Sequence, residues 1–217
     1  MSRCADPILA AELPAFSPAP VVDRPLAPGV VPRFAARLLR AAGWTIRLAQ
    51  PVPERCVAIF YPHTSNWDTI IGLVARPVIG ISIGFIGKDT LFHWPLGPLL
   101  LRWGGIPVNR REPGDFVERI ANEFAARREF RLALAPEGTR SRTGYWKSGF
   151  YRIARAARVP LALGYIDYPL REIGVGAYLE LQGDVEADMA RIRAFYAGKR
   201  GRHPGNQGPI RLSDGGG

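Results

Sequence analysis

The run Pro62-His63-Thr64-Ser65-Asn66-Trp67-Asp68 places an imidazole and a carboxylate five positions apart, in a turn that leads into an apolar helical stretch. If Ser65 caps that helix, His63 stands just before it and Asp68 lies in its first turn, so the two side chains can meet across the turn. A carboxylate on one ring nitrogen fixes the tautomer and stabilises the imidazolium. The other nitrogen is then left to take a proton from a hydroxyl. The same residues also admit a plainer role, with Asp68 as the acidic half of a capping box and His63 as an inert turn residue.

Two further groups follow strands. Ala135-Pro136-Glu137-Gly138-Thr139-Arg140-Ser141 carries a glycine suited to a tight turn, a hydroxyl at Thr139 and the guanidinium fork of Arg140, which matches phosphate oxygens. Gly104 to Arg110 (GGIPVNR) ends a strand with a second arginine. Sites in open α/β sheets sit just beyond the C-terminal ends of strands. One histidine-bearing and two arginine-bearing strand ends therefore suggest a pocket for a phosphorylated acceptor. Gly80-Ile81-Ser82-Ile83-Gly84 spells GxSxG, but Ser82 falls near the start of an apolar strand and not on a strand-to-helix turn, so the match reads as chance.

The elements that must position these groups alternate between helix-like and strand-like patterns, which predicts a single α/β domain with a mixed, mostly parallel sheet flanked by helices. Strands are expected at 55–61, 81–86, 106–108, 130–135 and 159–166, with 173–181 extended near the sheet edge. Helices are expected at about 65–78, 95–102, 115–129, 148–157 and 184–197. Residues 33–48 (RFAARLLRAAGWTIRL) read as one helix, with Phe34, Leu38, Leu39, Trp44 and Leu48 on an apolar side and Arg37, Arg40 and Arg47 flanking it. That helix either packs on the core or lies in a membrane interface. Residues 1–32, rich in Pro and Ala, read as a flexible leader, 33–198 as the domain, and 199–217 as a flexible Gly- and Pro-rich tail.

The 217 residues carry a formal charge of +10, with a pI near 10.3, which attracts nucleic acid, anionic lipid or phosphorylated substrates without choosing among them. Lys88, Lys147 and Lys199 are the only lysines beside many arginines, a weak sign that a compact ammonium matters at those positions. Cys4 and Cys56 offer neither a disulfide framework nor a metal-ligand cluster. No secretory signal is read at the N-terminus. No stretch reaches the roughly 18 apolar residues of a spanning helix. A protein peripheral to the inner face of the cytoplasmic membrane is expected.

His63-Thr64-Ser65-Asn66-Trp67-Asp68 resembles the His-x4-Asp signature of the glycerolipid acyltransferase family, and three later blocks follow in order. Gly105 to Arg110 is similar to the second block, Glu137-Gly138-Thr139-Arg140 to the core of the third, and Val159-Pro160-Leu161 to the fourth. Lys88 and Lys147 resemble positions where family members carry lysine. The resemblance covers about residues 55–166. It departs from the family at Asn109, where aspartate is usual, and in having the usual N-terminal membrane-anchoring helices reduced to one candidate helix.

The resemblance implies a glycerol-3-phosphate acyltransferase-like fold and a phospholipid-biosynthetic acyltransferase. In it His63, supported by Asp68, deprotonates the hydroxyl of a lysolipid, which then attacks an acyl-CoA or acyl-carrier-protein thioester. It implies neither a metal, nor a further cofactor, nor a nucleic-acid partner. Arg110, Gly138, Thr139 and Arg140 would hold the acceptor's phosphate, and Glu137 would orient that arginine-rich pocket. Other readings of the residues are an acyltransferase for a different acceptor, a non-catalytic basic protein on membrane or nucleic acid, and a hydrolase using the same histidine.

Overall fold

The computed structural model describes residues 16–95, 97–108 and 116–213. In chain order the elements are α1 (Val30–Ala41), β1 (Thr45–Leu48), β2 (Arg55–Tyr61), α2 (Asn66–Ile79), β3 (Gly84–Lys88), α3 (Gly97–Arg102), β4 (Gly105–Val108), α4 (Phe116–Ala126), β5 (Phe130–Leu134), α5 (Gly149–Ala157), β6 (Leu161–Asp167), β7 (Glu172–Leu179) and α6 (Val185–Tyr196). The strands form a seven-stranded sheet ordered β1-β7-β6-β2-β5-β3-β4. From β6 to β4 all pairs are parallel. β7 runs antiparallel to β6, and β1 parallel to β7. The expected mixed, mostly parallel α/β sheet is therefore present, and β2, β3, β4 and β5 all end on the same edge.

Side-chain alternation along the central strands divides the core into two layers. Val57, Ile59 and Tyr61 of β2, with Leu161, Leu163 and Tyr165 of β6, join Phe124 of α4, Phe150 and Ile153 of α5, and Ile192 and Tyr196 of α6. On the opposite face Cys56 and Ala58 meet Ala162 and Val175, and farther along Ala35 and Leu39 of α1 pack with Ile71, Ala75 and Val78 of α2. Helices cover both faces, the arrangement that lets near-continuous apolar strands such as β6 be buried throughout.

Several boundaries differ from those expected. Residues 33–48 are not one helix: α1 ends at Ala41, Gly43 takes a left-handed φ of 76°, and Thr45–Leu48 becomes the edge strand β1. A side chain at Gly43 would also meet the guanidinium of Arg171 at 2.9 Å. The stretch 172–179 lies near the sheet edge as expected, with β1 as the outermost strand beside it. Ser82 precedes β3 in an irregular, exposed segment, away from any strand-to-helix turn.

The flanking regions are also more engaged than their composition suggested. Residues 20–22 run beside β1, with Val22 N–H donating to Ile46 O at 2.9 Å, and Phe16 packs edge-on against Phe195. Beyond α6, the Trp146 N–H donates to Arg211 O at 2.7 Å and Tyr61 Oη donates to Gly208 O at 3.3 Å. Residues 199–213 are thus a strap against the domain, held by backbone groups that composition does not register.

Candidate active site

β2 delivers Tyr61 to the sheet edge, and the chain turns through Pro62 and His63 into α2. Ser65 is extended (φ −148°, ψ 155°), and its Oγ accepts the Trp67 N–H at 3.2 Å. Asp68 completes the capping box. Asp68 is thus the acidic half of a capping box, and the same carboxylate also meets the imidazole. Its Oδ2 accepts the N–H groups of Thr64 and Ser65 at 2.8 and 2.9 Å and lies 3.2 Å from His63 Nδ1. Capping places the carboxylate under the turn, and the ring folds back onto it.

Asp68 is almost wholly buried, with 1% of its side chain exposed, whereas the His63 ring retains 21%. Burial alone would raise the pKa of this carboxyl. The hydrogen bonds from His63, Tyr168 and the Ser65 backbone outweigh it and hold the group below the ordinary carboxylate range, hence anionic at neutral pH. Nε2 of His63 has no hydrogen-bond partner among the described residues.

β5 ends beside β2, so the loop 135–141 abuts the histidine turn. Glu137 is buried, and its Oε2 accepts the backbone N–H of His63 at 2.8 Å. It does not pair with Arg140, contrary to the expectation that it orients the arginine pocket. Its partner among the described residues is the main-chain N–H of His63. Burial, with a smaller push from the Asp68 charge against the His63 N–H, raises its pKa to about 7.

Gly138 has φ 66°, and a Cβ there would come within 2.8 Å of Lys147 Cε, so the lysine chain crosses directly over this glycine. Thr139 Oγ1 is turned into its own loop, where it accepts the Ser141 N–H at 3.2 Å. Arg140 is exposed and has no carboxylate partner among the described residues. With Ser141 it faces residues 64–67 across a cleft of about 350 Å³. Lys88 closes β3 on the same edge, but its side chain is outside the described region; Arg110 and its neighbours 109–115 are likewise outside it.

Two sets of contributors were not foreseen. Tyr168, just past β6, donates its hydroxyl to Asp68 Oδ1 at 2.7 Å. Burial first, and then the Asp68 carboxylate, raise the Tyr168 pKa, which keeps the phenol protonated as a donor. The strap contributes His203 and Asn206 to the cleft, while Arg202 lies over the Trp67 ring at 5.5 Å. Neither set belongs to a motif block. A tyrosine 100 residues from its carboxylate is invisible to local spacing.

Trp67 also borders a second hollow of about 460 Å³ between α1 and α2, lined by apolar groups including Leu38, Ile70 and Val74. A polar cleft and an apolar groove thus meet beside the His63–Asp68 pair.

One end of the mostly parallel sheet thus bears a histidine–aspartate pair, an arginine-lined cleft and an adjoining apolar groove. The family model described as Acyltransferase matches residues 45–170, more than half of the chain, and the chain belongs to the acyltransferase family. Its fold is similar to the crystal structure of the 1-acyl-sn-glycerophosphate (LPA) acyltransferase PlsC from Thermotoga maritima. The TM-score is 0.55 with 14% identity, over 77% of this chain and 76% of that one. No curated protein sequence matches the chain.

Proposed function

We propose that this acyltransferase moves a fatty acyl group from the thioester of acyl-CoA or acyl-carrier protein onto a lysophospholipid hydroxyl, with His63 as general base. The observation that carries the reading is the His63 Nδ1–Asp68 Oδ2 contact at 3.2 Å, which leaves Nε2 as the ring nitrogen available to a substrate hydroxyl. Nε2 takes the hydroxyl proton as the oxygen attacks the thioester carbonyl. The tetrahedral adduct collapses, the C–S bond breaks, and the imidazolium returns its proton to the departing thiolate. Asp68 stabilises that imidazolium and does not itself take the proton. Arg140 supplies the countercharge for the acceptor's phosphate.

Membrane contact fits the exposed face of the α1–α2 pair. Ala35 and Leu39 of α1 turn inward, whereas Val30, Val31, Phe34 and Leu38 face outward beside Trp67, Ile70 and Leu73 of α2. The inward face of the first helix packs on the core, and its outward face is the one available to a membrane interface. Arg33, Arg37 and Arg40 are exposed along α1 and complement anionic headgroups. Among the described residues, no helix is long and apolar enough to cross a membrane.

The reading is tested by mass spectrometry of lipid products from acyl-CoA and a lysolipid panel. His63→Ala should lower turnover by about 10²–10⁴-fold in a protein that still folds cooperatively. Full activity in a folded His63→Ala protein sinks it.

A further inference from the structure

The strap beyond α6 returns across the sheet edge that carries His63 and is pinned there by its main chain. Tyr168 N–H donates to Arg200 O at 2.9 Å, and His203 N–H donates to Thr64 Oγ1 at 3.2 Å. Gly201 approaches so closely that a Cβ would stand 2.5 Å from Thr64 Oγ1. Gln207 ties the segment to itself, accepting the Gly201 N–H and donating to Lys199 O, both at 3.1 Å. These contacts fix the backbone on either side of His203 and Asn206. The two side chains have no hydrogen-bond partner among the described residues, and both line the cleft opposite Arg140.

We propose that this cleft is an acceptor-headgroup subsite selecting a phosphate esterified to an uncharged, hydroxyl-bearing group, with His203 and Asn206 reading the group beyond the phosphate. The proposal rests on the acyltransferase reading and specifies its acceptor. The volume of about 350 Å³ falls at the lower end of small-molecule sites, which leaves room beyond the phosphate that Arg140 would hold. No carboxylate lines the cleft among the described residues, so an ammonium headgroup would enter without a countercharge. Amide, imidazole and hydroxyl groups at Asn206, His203 and Ser141 both donate and accept, as sugar-like or glycerol hydroxyls require.

The test compares kcat/KM for lysophosphatidylglycerol, lysophosphatidate and lysophosphatidylethanolamine in one detergent, using the full chain and acyl-CoA. The wild-type protein should prefer the glycerol headgroup. In the His203→Ala/Asn206→Ala variant its advantage over lysophosphatidate should fall about three- to ten-fold for each hydrogen bond lost. Both positions are at least partly exposed, and should the pair unfold, each single substitution reads the same ratio. Equal kcat/KM on all three lipids, preference for the ethanolamine headgroup, or an undiminished glycerol advantage in the variant overturns the subsite while leaving the acyltransferase reading intact. No turnover of any lysolipid by the wild-type protein overturns both.

Discussion

The Tyr168 hydroxyl donates a 2.7 Å hydrogen bond to Asp68 Oδ1, the carboxylate oxygen opposite the one that faces His63. The Asp68 carboxylate is thereby held from both sides: the histidine turn and two backbone N–H groups occupy Oδ2, and the loop after β6 occupies Oδ1. An oxygen left without its donor at such a buried position is costly.

Tyr168→Phe removes that donor while keeping the ring that packs edge-on against Trp44. Urea unfolding at pH 7 should show a loss of about 1–3 kcal/mol. Asp68 has a depressed folded-state pKa, so its stabilisation is present above the ordinary carboxylate range and disappears as the pH falls through the folded value. The deficit of the variant should therefore shrink on acidification. Equal deficits at pH 7 and at low pH would count against the hydrogen bond as the cause. If Asp68 supports an imidazolium at His63, as proposed, kcat should fall more than KM rises.

Asp68→Asn separates capping from catalysis. The amide oxygen can still accept the Thr64 and Ser65 N–H groups, so the helix start should lose only about 1 kcal/mol. The anionic partner of His63 is gone, and turnover should drop by roughly 10³–10⁴-fold, as where a triad carboxylate becomes an amide. A folded Asp68→Asn protein with near-normal kcat, measured by single-turnover acyl transfer, would return Asp68 to a purely capping role.

Glu137 offers a pH test of the opposite sign. Its folded pKa stands near 7 against an ordinary 4.5, so the native state holds the proton more tightly than the unfolded chain. Its contribution to stability is complete below about pH 4.5 and declines until the pH passes about 7. Glu137→Gln keeps an oxygen for the His63 N–H and has no charge to bury. Relative to wild type, the variant should gain stability across that window, on the order of 3 kcal/mol by pH 8. Parallel wild-type and variant profiles from pH 4 to 8 would rule out a buried titrating group here.

Phe34→Ser/Leu38→Ser should leave the fold intact, since both side chains face solvent. Partition onto vesicles containing anionic lipid should weaken by at least about ten-fold for each side chain removed. What binding remains should be abolished by salt, because it would rest on exposed arginines. Undiminished vesicle binding in a sedimentation assay would assign membrane contact to another face.

Much of the site was legible because its parts are local. The His63-to-Asp68 spacing, the Ser65 cap and the glycine-bearing turn after β5 are each set within a few residues. Parallel strands of one sheet must bring their C-terminal ends to one edge. Glu137 shows where that reasoning stops. Its place in the loop was correctly anticipated, but its partner, the His63 N–H 74 residues away, is chosen by how β2 and β5 lie side by side. The first helix shows the same limit in another form. Its apolar residues are plain in the sequence, yet which of them turn inward depends on the position of α2.

By itself, then, the sequence determined the alternation of strands and helices, the loops that gather at one end of the sheet, and the closeness of His63 to Asp68, all written in short-range periodicity and turn propensity. Only the tertiary structure decided that Tyr168 braces Asp68, that Glu137 serves the His63 backbone, and that residues 199–213 strap His203 and Asn206 into the cleft. Those contacts join positions far apart in the chain through individual hydrogen bonds and close glycine approaches. Such contacts exist only once the sheet has brought the distant segments together.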